Sequence, residues 1–101
     1  MQVKVLYFED CPNWHVADAR LREALNAAGL AAEVEVTYQA VETPEEAELA
    51  GFRGSPTILL DGRDPWADED GPVGLSCRIY RTERGAEGAP SAVQLAEALS
   101  A

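Results

Sequence analysis

Alternating and periodic apolar positions divide the first half of the chain into a strand, a helix and a second strand. Residues 2–8 are β-branched and aromatic with partial alternation, which is typical of a strand. Apolar residues then recur at helical steps from Trp14 to Ala28, which predicts an amphipathic helix that ends at Gly29. Residues 32–38 alternate strictly and predict a strand with one buried face. Because a helix joins them, we expect the two strands to be parallel.

The second half of the chain predicts a short helix, two strands and a last helix. Thr43 is a good N-cap residue, since a proline follows it and a Glu lies three residues further on. The helix that it begins should end near Gly51. Residues 55–60 and 76–81 are apolar enough to form a third and a fourth strand, and Ser91 begins the last helix. The complete order is βαβ-α-ββ-α, which indicates an α/β fold.

A long acidic connection separates the third and fourth strands. Residues 61–75 are rich in Gly and Pro, so we predict an inserted surface loop. Aligning Asp68 and Asp70 with calcium-binding positions of an EF-hand puts Trp66 at the first ligand position. The same alignment puts Cys77 at the last position, and both positions need oxygen ligands. We therefore interpret the acids as a solvated run, with Trp66 folding back over apolar surface.

Length and charge narrow the functional classes. The chain has 101 residues, which predicts a single domain over residues 1–101. Its formal charge of −10 would repel nucleic acids and anionic membrane surfaces, so neither is an expected partner. No apolar run approaches the roughly 20 residues of a spanning helix, and the start does not resemble a signal peptide. We expect a cytoplasmic protein, in which two cysteines are more often reactive groups, ligands or buried filler than a disulfide scaffold.

Cys11 is the leading candidate for chemistry. It lies between a strand end and a helix start, where free N–H groups and the helix dipole favour a thiolate. His15 follows one helical turn later and could stabilise the anion or relay a proton. Glu9 and Asp10 act in the opposite direction, because like charge disfavours a thiolate. The alternative is that Cys11 is a small apolar loop residue and His15 an incidental surface residue.

These elements and motifs resemble the thioredoxin-like fold over nearly the whole chain. The strongest match is Gly-Phe-Arg-Gly-Ser-Pro-Thr-Ile-Leu-Leu at residues 51–60, which is similar to the segment around the cis-proline of thioredoxins. Residues 7–14 and 74–80 together resemble a group of small actinobacterial thioredoxin-like proteins. Some of that group carry selenocysteine at the position matching Cys11, and some are described as alkylmercury lyase-like. The resemblance implies a central mixed four-stranded sheet flanked by helices.

The resemblance also implies a substrate-binding surface. Pro56 would be the cis-proline, and the backbone of Ser55 would lie beside Cys11 as an edge for an extended substrate. Pro12 and Trp14 are the further candidate substrate-binding residues. The alternatives are a trans proline that opens an edge strand and an aromatic residue that packs the helix.

The chain departs from thioredoxins at the second cysteine of their Cys-x-x-Cys motif. Trp14 stands at that position, so a dithiol cycle within the motif is impossible. Three outcomes remain open. They are a monothiol mechanism resolved by glutathione or mycothiol, resolution by Cys77, and no redox cycle at all. If the third and fourth strands form a simple hairpin, Cys77 lies at the far end from Pro56 and Cys11, which favours a buried structural cysteine. The long connection could instead alter the register and bring Cys77 closer.

Three functional hypotheses follow from the sequence. The first is a thiol-dependent oxidoreductase without cofactor or metal, acting on a small-molecule thiol or a protein disulfide. In it Cys11 is the nucleophile, His15 assists as a base and Cys77 is a possible resolving thiol. The second is an alkylmercury lyase-like protein in which both thiolates hold mercury and an acid such as Asp10 delivers a proton. The third is a noncatalytic binding module. One His and two Cys cannot form a four-ligand zinc site without carboxylates.

Overall fold

The computed structural model describes residues 1–67 and 73–100 and has a mixed α/β architecture. Its elements, in chain order, are β1 (Gln2–Tyr7), α1 (Asn13–Ala27), β2 (Glu35–Ala40), α2 (Pro44–Ala50), β3 (Thr57–Leu60), β4 (Tyr80–Thr82), β5 (Gly85–Glu87) and α3 (Ala92–Ser100). Within these described residues, none of the helices has the length and apolar character needed to cross a bilayer.

β1 is the central strand of a three-stranded mixed sheet with the order β2-β1-β3. It runs parallel to β2, with Val3 opposite Val36, and antiparallel to β3, with Val3 opposite Leu60. β1 and β2 are parallel and α1 connects them, so the predicted parallel βαβ unit is confirmed. Cys11 therefore follows the strand that lies in the middle of the sheet.

β2 begins later than the alternation of residues 32–38 predicts. The carbonyl of Leu30 accepts the N–H groups of Glu33 and Val34, so the chain is still turning where the strand was expected. β2 is also an edge strand, and its expected buried face is reduced to partial burial of Val36 and Ala40.

The core is divided between the two faces of the sheet. Alternate residues of β1 point to opposite sides, so Val3 and Val5 pack in one cluster and Leu6 in another. The larger cluster joins the sheet to the apolar faces of α1 and α3, and the residues that these helices bury in it are Ala17, Leu21, Ala24, Leu25, Leu95 and Leu99. The smaller cluster joins Leu6 to Ala47 of α2 and to Phe52. Full burial of one such side chain contributes about 1.5–3 kcal/mol.

The predicted boundaries of α2 are confirmed. The hydroxyl of Thr43 accepts the N–H of Glu46 at 3.1 Å, which satisfies one of the free donors of the first turn. Gly51 ends the helix in the left-handed conformation, with φ +63°.

The four-stranded sheet expected from the resemblance is not found among the described residues. Of the predicted fourth strand, Tyr80 and Arg81 belong to β4, which pairs with β5 in a separate two-stranded ladder, and Cys77 forms only an isolated bridge. The hairpin fails because the chain folds back on itself at once after β3, where the N–H of Leu60 donates to the carbonyl of Arg63 at 2.7 Å. The chain then returns past the opposite end of β3, where Cys77 bridges to Ser55.

Part of the acidic connection contacts the protein body. The half-buried Trp66 packs against the larger core cluster and meets the ring of Tyr80 edge to face, with the ring centroids 5.8 Å apart. The prediction that Trp66 covers apolar surface is therefore confirmed. Of the acids proposed as a solvated run, Asp61 is exposed, but for Asp64 the proposal is wrong, because its side chain is only 12% exposed and pairs with Arg78. The other acids, among them the rejected EF-hand positions Asp68 and Asp70, lie outside the described residues.

Candidate functional site: the Cys11–Cys77 pair

Cys11 is fully buried at the junction of β1 and α1. Its N–H donates to the carbonyl of Phe8 at 3.1 Å, and its sulfur lies 3.6 Å from the carbonyl oxygen of Ser55. Pro12 follows as the N-cap of α1 and provides no side-chain cap. The expected position of the Ser55 backbone beside Cys11 is confirmed.

The Ser55–Pro56 peptide bond is cis, as the resemblance of residues 51–60 to thioredoxins implied. Both residues are fully buried, whereas Pro12 is exposed and Trp14 is partly exposed. The hydroxyl of Ser55 also accepts the N–H of Phe8 at 3.3 Å. These contacts join the start of β3 to the end of β1, where Cys11 lies.

The backbone edge of Ser55, which the sequence suggested for a substrate, is occupied by the protein itself. The N–H of Ser55 donates to the carbonyl of Ser76 at 2.7 Å, and the Ser55 carbonyl accepts the N–H of Arg78 at 2.9 Å. The result is a parallel bridge between Ser55 and Cys77. Two residues before Ser76, the N–H of Gly74 donates to the carbonyl of Phe52 at 3.1 Å. We call residues 74–78 the Cys77 segment.

This bridge brings the two cysteines together. The sulfur of Cys77 lies 2.7 Å from the sulfur of Cys11, and both are free thiols. The expectation that a simple hairpin holds Cys77 away from Cys11 is therefore wrong. Cys77 is exposed, so it is not the buried structural residue of the alternative reading, and it covers the buried Cys11.

The proximity of the sulfurs changes the acidity of the outer thiol. The hydrogen bond with Cys11 raises the pKa of the Cys77 thiol, and partial desolvation raises it further. The negative charge of a Cys11 thiolate acts in the same direction. Loss of the proton from Cys77 is consequently easier when Cys11 is absent or neutral.

The side chain of Arg78 holds the Cys77 segment against the connection that follows β3. Its guanidinium forms an ion pair with Asp64 at 2.6 Å, and these side chains are only 9% and 12% exposed. It also donates to the carbonyl of Trp66 and lies 4.6 Å from the centroid of the Tyr80 ring. These contacts restrict the residue next to Cys77 on several sides, which fixes the position of the outer sulfur.

Two further contacts anchor the same region. The hydroxyl of Tyr80 donates to the carbonyl of Pro56, and burial raises the pKa of that phenol. Gly54 has φ +118°, and a Cβ built there would lie 2.9 Å from the Cβ of Arg78. A glycine is therefore required for the Cys77 segment to approach this closely.

The described contacts of His15 do not include a hydrogen bond to either cysteine. Its ring is exposed and packs on Trp14, with the centroids 3.9 Å apart, and no hydrogen bond joins it to the sulfur of Cys11. Trp14 in turn stacks on Tyr7 at 4.3 Å and meets Tyr38 edge to face at 6.3 Å. The residue in the position of a thioredoxin resolving cysteine is thus part of an aromatic cluster.

An acidic pocket is lined by residues that lie close to both cysteines in the chain. It has a volume of about 300 Å³ and is lined by Phe8, Glu9, Asp10, Glu42 and Leu75. Its lining reaches the residue before Cys11 and the second residue before Cys77, so the pocket adjoins both cysteines along the chain. Three of its five lining residues carry carboxylates and none carries a cation.

Sequence reasoning missed Arg78, Asp64 and Tyr80, because their roles depend on a return of the chain that the hairpin expectation excluded. The only local signal was the arginine next to Cys77 in a predicted strand, since a charged side chain that becomes buried requires a partner. In the part of the chain that the structure describes, no group of three or more His, Cys, Asp or Glu residues is placed to hold a metal ion.

Comparison of the chain with protein-family models, with curated proteins and with solved structures finds no match.

Proposed function

We propose that the protein is a thiol–disulfide oxidoreductase of the thioredoxin-like type whose redox centre is the Cys11–Cys77 pair. The observation that carries the proposal is the 2.7 Å separation of the two sulfur atoms. Such proximity on a segment held by backbone hydrogen bonds favours reversible disulfide formation over a monothiol mechanism.

The reaction needs only a small movement of the sulfurs. In a disulfide the two atoms are about 2.05 Å apart. On oxidation, each thiol gives up its proton, one S–S bond forms and two electrons pass to an external disulfide, which is released as two thiols. The reverse reaction returns both cysteines to the free form and reoxidises the external thiols.

The thioredoxin-like assignment is supported by the arrangement around Cys11. A cysteine at the end of the central strand precedes the first helix, and the residue before a cis-proline lies beside it. The second thiol, however, comes from the Cys77 segment and not from α1. In this proposal Trp14 has no redox role, and a cytoplasmic location would supply the thiol partners.

A redox titration tests the proposal directly. Intact mass is measured with and without alkylation, after equilibration in thiol buffers of graded potential. We expect the wild-type chain to lose two hydrogens and both alkylation sites together, whereas the one remaining thiol of Cys11→Ser or Cys77→Ser is either alkylated or carries one buffer thiol as a mixed disulfide. If the wild-type chain takes up two alkyl groups at every potential that oxidises ordinary protein dithiols, the redox centre does not exist. That result would favour a noncatalytic binding module.

A second candidate is an organomercurial lyase-like activity, in which mercury is the substrate. Two adjacent sulfurs suit a thiophilic ion, and Asp10 lines the neighbouring pocket as a possible proton donor. The carbon–mercury bond would take a proton and release a hydrocarbon, leaving mercuric ion on the thiolates. The test is methane release from methylmercury by the wild-type chain, with Asp10→Asn as the variant. An absence of methane under conditions where both thiols bind mercury would exclude this activity.

A further inference from the structure

We propose that Cys77 is the thiol that attacks external disulfides, that Cys11 resolves the mixed disulfide, and that the site accepts small neutral or cationic disulfides in preference to extended peptides. This inference rests on the proposed oxidoreductase function. It reverses the roles that the sequence suggested for the two cysteines.

The two sulfurs differ in their access to solvent. Cys11 has no exposed surface, whereas Cys77 is exposed and lies over it. In thiol–disulfide exchange the rate depends on the thiolate fraction of the attacking thiol and on access to its sulfur. The raised pKa of Cys77 lowers its thiolate fraction, but Cys11, with no exposed surface, offers no sulfur to an incoming disulfide. An external disulfide meets Cys77 first, and it cannot reach Cys11 unless the Cys77 segment moves away.

The backbone contacts oppose such a movement and also exclude peptides. Both polar backbone groups of Ser55 are bonded to the Cys77 segment, as is the carbonyl of Phe52. The nearly buried ion pair of Arg78 and Asp64 holds the end of the segment. An extended substrate peptide would have to displace all of these contacts before it could pair with the same edge. A small disulfide needs only the exposed sulfur.

The acidic pocket adds a preference for charge. Glu9, Asp10 and Glu42 line it without a compensating cation in the lining, and Leu75 places it beside the Cys77 segment. A cation near these carboxylates is attracted, whereas a dianion is repelled, and salt weakens both effects. The rate at which Cys77 reacts with a small disulfide should therefore depend on the charge of that disulfide.

The proposed reaction has two balanced steps. The Cys77 thiol gives its proton to water, and its sulfur attacks one sulfur of the external disulfide. A Cys77 mixed disulfide forms, and the first external thiolate leaves and takes a proton from water. The Cys11 sulfur then attacks the sulfur of Cys77, and the proton of the Cys11 thiol passes to the second external thiolate as it leaves. The Cys11–Cys77 disulfide forms and the second external thiol is released.

The order of the cysteines is tested with cystamine, a small dicationic disulfide. Reduced Cys11→Ser should accumulate a mixed disulfide on Cys77, whereas Cys77→Ser should react roughly tenfold or more slowly, because its one sulfur is buried. An acid quench of the wild-type chain, followed by peptide mapping, locates the first mixed disulfide without any substitution. A first mixed disulfide on Cys11, or Cys77→Ser reacting as fast as Cys11→Ser, would overturn the proposed order.

The substrate preference is tested with matched disulfides. We expect the rate of oxidation of the wild-type chain to fall from cystamine to neutral 2-hydroxyethyl disulfide and to the dianion of dithiodiglycolic acid, after correction for their reactivity with a free thiol. High salt should reduce the differences in rate between the three disulfides, and so should the double variant Glu9→Gln, Glu42→Gln. A neutral extended peptide disulfide should react more slowly than 2-hydroxyethyl disulfide. A series independent of charge, or faster reaction of the peptide, would contradict the proposed substrate class.

These outcomes separate the inference from the proposed function. If the redox titration yields the Cys11–Cys77 disulfide but mapping finds Cys11 attacked first, the oxidoreductase function stands and the order of the thiols is wrong. If the titration yields no disulfide between them, the proposed function fails as well.

Discussion

The sulfur of Cys77 lies 2.7 Å from that of Cys11, although the two residues are 66 positions apart in the chain. No regular strand pairing brings them together. The contact depends on two backbone hydrogen bonds to Ser55 and on the contacts of Arg78 with the connection after β3. Changes to these supporting residues should therefore alter the behaviour of the thiols.

Loss of the Arg78 side chain should destabilise the protein and loosen the thiol pair. In Arg78→Met, the nearly buried carboxylate of Asp64 loses its partner, which costs about 3–5 kcal/mol for a buried pair. Urea unfolding measures the free energy, and the redox titration should show a less stable disulfide. Arg84→Met is the matched control, because Arg84 is 62% exposed and its ion pair with Glu87 contributes at most about 1 kcal/mol. Equal effects of the two variants would contradict the anchoring role of Arg78.

A side chain at position 54 should displace the Cys77 segment. Gly54→Ala introduces a Cβ within 2.9 Å of Arg78 at a φ of +118°, so we expect a loss of roughly 2–4 kcal/mol and slower disulfide formation. Gly51→Ala is the control, since Gly51 also has a positive φ but its Cβ would meet open space. It should cost about 1–2 kcal/mol and leave the rate of disulfide formation unchanged. The comparison uses urea unfolding and timed alkylation.

Removing the phenol hydroxyl of Tyr80 should cost stability. In Tyr80→Phe the buried carbonyl of Pro56 loses its donor, which costs about 1–3 kcal/mol. Tyr38→Phe is the control, because the hydroxyl of Tyr38 bonds Asp18 at an exposed position where water can replace it. A smaller loss for Tyr80→Phe than for Tyr38→Phe in urea unfolding would show that the bond to Pro56 does not anchor the region.

The reactivity of Cys77 should respond to its neighbour. The hydrogen bond with Cys11 is the largest cause of the raised pKa of Cys77, so Cys11→Ala should lower that pKa toward its usual value. The rate of iodoacetamide alkylation at Cys77, followed against pH, measures the change. The wild-type profile should lie at higher pH than that of the variant. Coincident profiles would mean that the two sulfurs do not interact in solution.

Acid should destabilise the region of Glu87. Hydrogen bonds from Thr82 and Arg20 lower the pKa of Glu87 to about 2, whereas the unfolded chain titrates near its ordinary value of 4.5. Because the folded-state pKa is the lower one, this stabilisation is present above pH 4.5 and is lost as the pH falls from 4.5 through 2. Glu87→Gln should flatten the free energy of unfolding in that window. An unchanged slope would contradict the assignment.

The local elements around the site follow from signals between neighbouring residues of the chain. Apolar periodicity placed β1 and α1, and the N-cap at Thr43 and the glycine at Gly51 bounded α2. The same reasoning placed Cys11 at the junction of a strand and a helix, because strand and helix signals are carried by neighbouring residues.

The position of Cys77 over Cys11 and the occupied edge of Ser55 depend instead on contacts between residues that are distant in the chain. A hairpin was the natural expectation from local pattern, since consecutive strands often pair. The actual path depends on the pairing of Arg78 with Asp64, which are 14 positions apart, and on the close approach allowed by Gly54. Contacts of this kind leave no periodic signal in the sequence, because they are formed by single residues that meet only when the chain is folded.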